Sequence, residues 1–223
     1  MSKLSNLTLA LAAWLVAGAA PAVADAAVVD AAGDFLSSYT GPQNGDLDIL
    51  EAGALLGADD VTLSMVLYGS VGSTAGAFVA FGVNRGGGTP GLFQSTEPMI
   101  GGHALHDAVV VLRPNLTGTV VLIGAGGALS FANLAPGAVA VSGDSLQGVV
   151  PLSLLPSNGF AVEDYRYSAW TRSAPGSNAF VGDFAPDGAT FRAAVPEPAT
   201  WALMILGFGS AGVLLRRRPA RFA

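Results

Sequence analysis

Between residues 25 and 195 the apolar positions fall in short runs, each closed by Gly, Pro, Asn or Asp. Val61 to Tyr68 alternates, setting Val61, Leu63, Met65 and Leu67 on one face, the period-two signature of a half-buried strand. Ala77 to Val83 forms a second run, ended by Asn84-Arg85-Gly86-Gly87-Gly88. Val109 to Leu112 and Thr119 to Ile123 flank a turn-rich stretch from Arg113 to Gly118, which predicts a hairpin. Ala128–Phe131, Ala138–Val141, Gln147–Val150, Tyr165–Trp170 and Ala189–Ala193 supply further strands. Pro151 to Leu155 reads as a single helical turn opened by proline. Pro175–Asn178 and Ala185–Gly188 read as turns, and Ala193 and Ala194 as a linker. No long stretch of this region carries a 3.6-residue stripe, and no internal repeat is present. About eight to ten short strands with turn punctuation predict one all-β domain over residues 25–193. The expected architecture is an antiparallel β-sandwich with jelly-roll or immunoglobulin-like layers.

The ends follow a different pattern. Residues 1–24 combine Lys3, an apolar stretch from Leu4 to Ala20, a helix-breaking Pro21 and the small residues of Ala22-Val23-Ala24. This is the layout of a secretory signal helix, cut by signal peptidase before Asp25, with an uncleaved anchor helix as the alternative. At the other end, residues 194–223 hold an uncharged segment from Ala199 to Leu215 followed by Arg216, Arg217 and Arg218. A helix of that length reaches about 25 Å, at the short edge of what spans a bilayer. Trp201 suits the outer interface and the arginines the cytoplasmic side, so both ends agree on a body outside and a tail end inside. Gly207, Gly209, Ser210, Ala211 and Gly212 leave one face of this transmembrane helix open to close approach by another membrane protein.

Pro196-Glu197-Pro198, then Trp201-Ala202-Leu203-Met204-Ile205, Gly207-Phe208-Gly209 and the arginine cluster closely resemble the PEP-CTERM sorting signal of Gram-negative bacteria. The resemblance implies recognition by an exosortase, a cut near Pro196 to Pro198, and passage from an inner-membrane intermediate to the cell surface or the extracellular space. It also implies a link to exopolysaccharide and biofilm. An ordinary C-terminal membrane anchor is the alternative, although such an anchor has no need of Pro196-Glu197-Pro198 and is usually longer, about 20 apolar residues.

Charge sharpens this picture. The chain of 223 residues has a net charge of −6, yet between residues 25 and 195 five arginines face fifteen Asp and Glu, a formal charge of −10 with no lysine. Such a surface repels phosphate backbones and anionic lipid heads, which argues against a nucleic-acid partner. Excess carboxylate suits a hard cation such as calcium, or plain solubility. The 51% apolar content excludes a disordered chain, and the lack of cysteine excludes disulfides, thiolate zinc sites and cysteine nucleophiles.

Candidate chemistry is sparse. Asp30, Asp34, Asp46 and Asp48 lie close together among Gly33, Gly41 and Gly45. On a strand Asp46 and Asp48 share a face, so both could reach one calcium ion; turn-forming aspartates are the alternative. The spacing is not that of an EF-hand loop. Asp59-Asp60 reads as a turn. His103, His106 and Asp107 could bind zinc only if the segment turns, and ordinary loop histidines are the default. A Ser-His-Asp triad would have to use one of these histidines, and no Gly-x-Ser-x-Gly elbow is present. Glu163 and Asp164 diverge on a strand, which disfavours paired carboxylates for glycoside hydrolysis. The Gly-rich stretches 82–91 and 124–127 lack the Lys-Ser/Thr and following helix of a phosphate loop. Asn115-Leu116-Thr117 is a glycosylation sequon by pattern and more simply a turn. Tyr165, Tyr167 and Trp170 offer rings for sugar stacking or for the core.

On more generic motifs the body resembles family-nine carbohydrate-binding-module and DOMON-like sandwiches. The matching pieces are Asp30-Ala31-Ala32-Gly33-Asp34, Asp46-Leu47-Asp48, Asp107 before Val109, Pro151 to Leu155, and the late Tyr/Trp strand. Together these readings predict an exported, non-catalytic surface or matrix protein, structural or adhesive, with extracellular polysaccharide as a partner. A carbohydrate-binding module with a structural calcium, and a secreted hydrolase, are the alternatives.

Overall fold

The computed structural model describes residues 27–90, 93, 97–195 and 208. The expected signal segment with Ala22 and Ala24, and the sorting residues Pro196, Glu197, Pro198, Arg216, Arg217 and Arg218, lie outside the described residues. Among the described residues no helix is long and apolar enough to cross a membrane.

Eleven strands make up the body: β1 (Val28–Val29), β2 (Ile49–Leu56), β3 (Asp60–Leu67), β4 (Phe78–Asn84), β5 (Ala108–Leu112), β6 (Gly118–Ile123), β7 (Leu129–Asn133), β8 (Val139–Ser142), β9 (Ser145–Pro151), β10 (Arg166–Arg172) and β11 (Val181–Ala185). They form a five-stranded sheet in the order β1-β2-β3-β9-β8 and a six-stranded sheet in the order β11-β10-β4-β5-β6-β7. Every named pairing is antiparallel. Leu63, Met65, Leu146 and Val150 from the first sheet join Phe81, Val110, Leu112 and Tyr167 from the second in one buried apolar cluster. The two sheets therefore share a single core.

Local sequence explains much of this. The alternation of β3 is realised residue by residue, with Val61, Leu63, Met65 and Leu67 buried. The β5–β6 hairpin turns at Leu116, which adopts φ 65° while Asn115 Oδ1 accepts the Thr117 amide and hydroxyl. Leu152–Leu154 is the expected helical turn after Pro151.

The second sheet departs from simple alternation because its outer face is also covered. Ala80 of β4, Val109 of β5, Trp170 of β10 and Phe184 of β11 pack with Phe93, Ile100 and Ala104 from the long β4–β5 connection. β4 and β10 are consequently buried throughout their interiors. A strand covered on both faces reads as a continuous apolar run, as in Phe78-Val79-Ala80-Phe81.

Two expectations are corrected near the end of the body. Ala189–Ala193 is not a strand; its pairing is an isolated bridge between Phe191 and Tyr167. Ala193 and Ala194 are buried rather than forming a free linker. Ala194 donates its amide to Ala54 O and accepts from the Leu56 amide, lying parallel to β2.

Candidate functional site

The chain brings three acidic segments to one corner of the body. After β1 it turns through Ala32 and Gly33, where Gly33 takes φ +83° and donates its amide to Asp48 Oδ2 at 2.8 Å. The following segment runs beside β11, with the Leu36 amide bonded to Gly182 O and the Thr40 amide to Ala179 O. Asp48 follows the 3-10 turn Gly45–Leu47. That turn is held against β10 by the Thr171 hydroxyl, which donates to Leu47 O at 2.6 Å. Asp183 projects from β11 and accepts the Ile49 amide at 2.7 Å and its neighbour Phe184 amide at 2.7 Å.

Asp34, Asp48 and Asp183 each offer an oxygen, all within 4.8 Å of one another, and Asp30, Asp34 and Asp187 do the same. Asp34 belongs to both groups. Asp48 and Asp183 are buried, at 3% and 1% exposure. Asp48 Oδ1 and Asp30 Oδ2 are buried without a hydrogen-bond partner. The ion pairs found among the described residues, Arg85–Asp107 and Arg192–Asp164, lie outside the cluster. Burial, reinforced by the charges of Asp34, Asp187 and Asp48 and opposed by the Ala31 amide, pushes the Asp30 carboxyl up to about 6. Burial likewise raises Asp183 to about 7, with Asp30 and Asp34 adding to the shift and the Ile49 and Phe184 amides opposing it. Asp48 is raised by burial and by Asp34, against the Gly33 amide. The cluster is therefore a group of hard oxygen donors to which no described Lys, Arg or His lends an ion pair.

Asp46 does not join it. Its two oxygens accept the Thr74 amide and the Thr74 hydroxyl, both at 2.6 Å. The expected shared strand face of Asp46 and Asp48 fails because Asp46 sits within a 3-10 turn, where residues two apart diverge. Asp183 and Asp187 were not expected from sequence. Their distance along the chain from Asp30 and Asp34 hides them, although Asp183 in an otherwise apolar strand is an anomaly that flags a special role.

The other candidates disperse. His103 is exposed while His106 is buried, so they do not form a joint metal site. His106 Nε2 lies 2.6 Å from Ser168 Oγ, and its ring packs against Phe93 and Trp170 of the outer apolar cluster. Burial lowers the His106 imidazole to about 4, against a raising influence from Asp107. Asp107 serves Arg85 instead. Its Oδ1 accepts from Arg85 N and Nε at 2.9 and 3.1 Å, and its Oδ2 accepts from the Gly87 amide and Asn158 Nδ2. Ser168, His106 and Asp107 are each at most 1% exposed. Asp164 pairs with Arg192 on the surface.

Tyr165, Tyr167 and Trp170 are all buried and present no stacking platform. Trp170 stacks on Phe184 with ring planes 4° apart and meets Phe93 edge-on at 4.7 Å. A groove of about 580 Å³ does open between the Gly124–Gly127 turn, Gly87, Thr89, Ile123, Leu129 and Asn158. It is lined by backbone, aliphatic side chains and the polar groups of Thr89 and Asn158.

Residues 194–218 match the PEP-CTERM protein-sorting motif. The chain thus carries the address of an exported protein that is sorted by exosortase. No curated protein matches it.

Proposed function

We propose that this chain is a non-catalytic cell-surface or extracellular-matrix protein whose β-sandwich body is delivered by its tail and associates with exopolysaccharide in biofilm. The observation that carries this reading is the sorting motif at residues 194–218. Signal peptidase removes residues 1–24, and the apolar tail then holds an inner-membrane intermediate until exosortase cuts near Pro196 to Pro198. The acidic body, with no lysine between residues 25 and 195, suits a soluble surface layer rather than an anionic-lipid or nucleic-acid binder.

The intact mass of the mature protein from its host tests the reading. The expected mass begins at Asp25 and lacks Arg216 to Ala223. Surface molecules that keep the arginine peptide would overturn processing, as would unchanged surface yield after deletion of residues 196–223.

The groove beside Asn158 favours a second reading, a carbohydrate-binding module. Its uncharged polar lining can hydrogen-bond hydroxyls without offering a paired-carboxylate catalyst. A glycan array on the mature protein separates a sugar binder from a purely structural coat. A hydrolase screen, with His103 and His106 variants, separates both from an enzyme.

A further inference from the structure

We propose that Asp30, Asp34, Asp48, Asp183 and Asp187 form a calcium site that fastens the N-terminal segment of the mature body to its last strand. The donor set is all carboxylate, from three stretches of chain: 30–34, 48 and 183–187. Oxygens that ligate calcium at about 2.4 Å lie on a sphere about 4.8 Å across. The oxygens of Asp34, Asp48 and Asp183 fall within that span, as do those of Asp30, Asp34 and Asp187.

An acidic cluster alone could be a solvated surface, but Asp48 and Asp183 are buried within this one. Asp48 is 3% exposed, one of its oxygens is held by the Gly33 amide, and the other has no partner. Asp48 is also one of the three residues that converge with Asp34 and Asp183. A buried carboxylate oxygen left without hydrogen bond or counter-charge is strongly unfavourable in a protein interior. A divalent cation satisfies it and compensates Asp34 and Asp183 at the same time.

The ligand class follows from the donors. Oxygen ligands without His or Cys select hard cations over zinc or copper. Magnesium demands near-ideal octahedral geometry and dehydrates reluctantly, whereas an irregular carboxylate cage drawn from three loops and a strand suits calcium. The structural effect is a cross-link. β1 has only two residues, so the chain around Asp30 and Asp34 is held by few ladder bonds. An ion shared with Asp183 ties this segment to β11. Extracellular calcium modules work at Kd of about 10⁻⁴ to 10⁻³ M, so a site of that strength fills after export and stays empty in the cytoplasm. That last consequence rests on the export reading; binding itself does not.

Calcium titration of the mature protein, stripped with chelator, tests the proposal by calorimetry and by melting. A saturable binding heat and a Tm increase of about 3–6 °C at a tenfold excess over Kd are expected, with magnesium much weaker. Asp34 is exposed, so Asp34→Asn leaves the fold intact and should abolish both signals. Asp164→Asn, which alters a surface pair elsewhere, should keep both. No heat and no Tm change between chelator and millimolar calcium overturns the site, as does an Asp34→Asn protein that responds like the parent. Because the titration uses purified protein, its failure leaves the sorting reading standing, and failure of tail processing leaves the titration valid.

Discussion

Arg85 Nε lies 3.1 Å from Asp107 Oδ1, and both side chains are buried where β4 and β5 end side by side. The guanidinium also donates to Asp107 O and Pro156 O, while the remaining carboxylate oxygen takes Gly87 and Asn158. This pair gathers the loops that border the groove. Removing one partner of a buried ion pair strands the other charge, typically at about 3–5 kcal/mol. Asp107→Ala should therefore lower unfolding free energy in urea by about 3 kcal/mol or more. A loss below about 1 kcal/mol would show that the network is not closed in solution.

His106 gives the body an acid-sensitive core. Its imidazole titrates near 4 in the fold against about 6.5 in the unfolded chain, because burial disfavours the charged form. The unfolded state binds the extra proton between these values, so stability is full above pH 6.5, declines as pH falls toward 4, and changes no further below it. The decline attributable to this residue should total about 3 kcal/mol. His106→Gln, compared with the parent at saturating calcium, should flatten that part of the pH profile. Parallel profiles for the two proteins would exclude a depressed histidine.

Asp46 and Asp34 should separate cleanly. Asp46→Ala strips two acceptors from Thr74, including its buried amide, and should destabilise by about 1–3 kcal/mol. The calcium-induced rise in Tm should survive. Melting curves of Asp46→Ala with and without calcium decide this, and loss of the rise would place Asp46 in the ion site after all.

Gly82 is a close-approach glycine in β4. A Cβ there would run into the His106 ring and come within 2.8 Å of Trp170. Gly82→Ala should cost about 1–3 kcal/mol through overpacking, and Trp170→Ala about 3–5 kcal/mol through the cavity it leaves. Equilibrium denaturation of both variants checks the order of these effects.

The half-buried strands were the legible part of this fold. β3 announces itself because one face is core and the other is not, so burial and sequence share a period. β11 does not, since Val181-Gly182-Asp183-Phe184-Ala185 contains two residues disfavoured in strands. Gly182 is there because a Cβ would meet Leu47 O at 3.0 Å and Thr171 Oγ1 at 2.9 Å. Asp183 is there because it caps Ile49 and faces the carboxylate cluster. Both reasons are tertiary, and no local pattern encodes them. The same holds for the cluster. Asp30, Asp34 and Asp48 are neighbours in sequence and could be suspected, whereas Asp183 and Asp187 join them only once the last strand is laid beside the segment from Leu36 to Thr40. The alternation of Tyr165–Trp170 favours the core for at least one aromatic face and leaves the other open. Tyr167 packs in the core shared by the two sheets, while the β4–β5 connection covers Trp170 on the outer face with Phe93 and Ile100.

Ala194 is stitched to β2 through two backbone hydrogen bonds, and the sorting motif begins at that same residue. Only Val195 separates it from Pro196. At about 3.3–3.6 Å per extended residue, a cut between Pro196 and Pro198 falls within about 15 Å of the sheet. On the proposed cut near Pro196 to Pro198, the processing enzyme would work close to a folded wall. Any group joined at the new C-terminus would leave the body's β2 flank pressed close to whatever carries it.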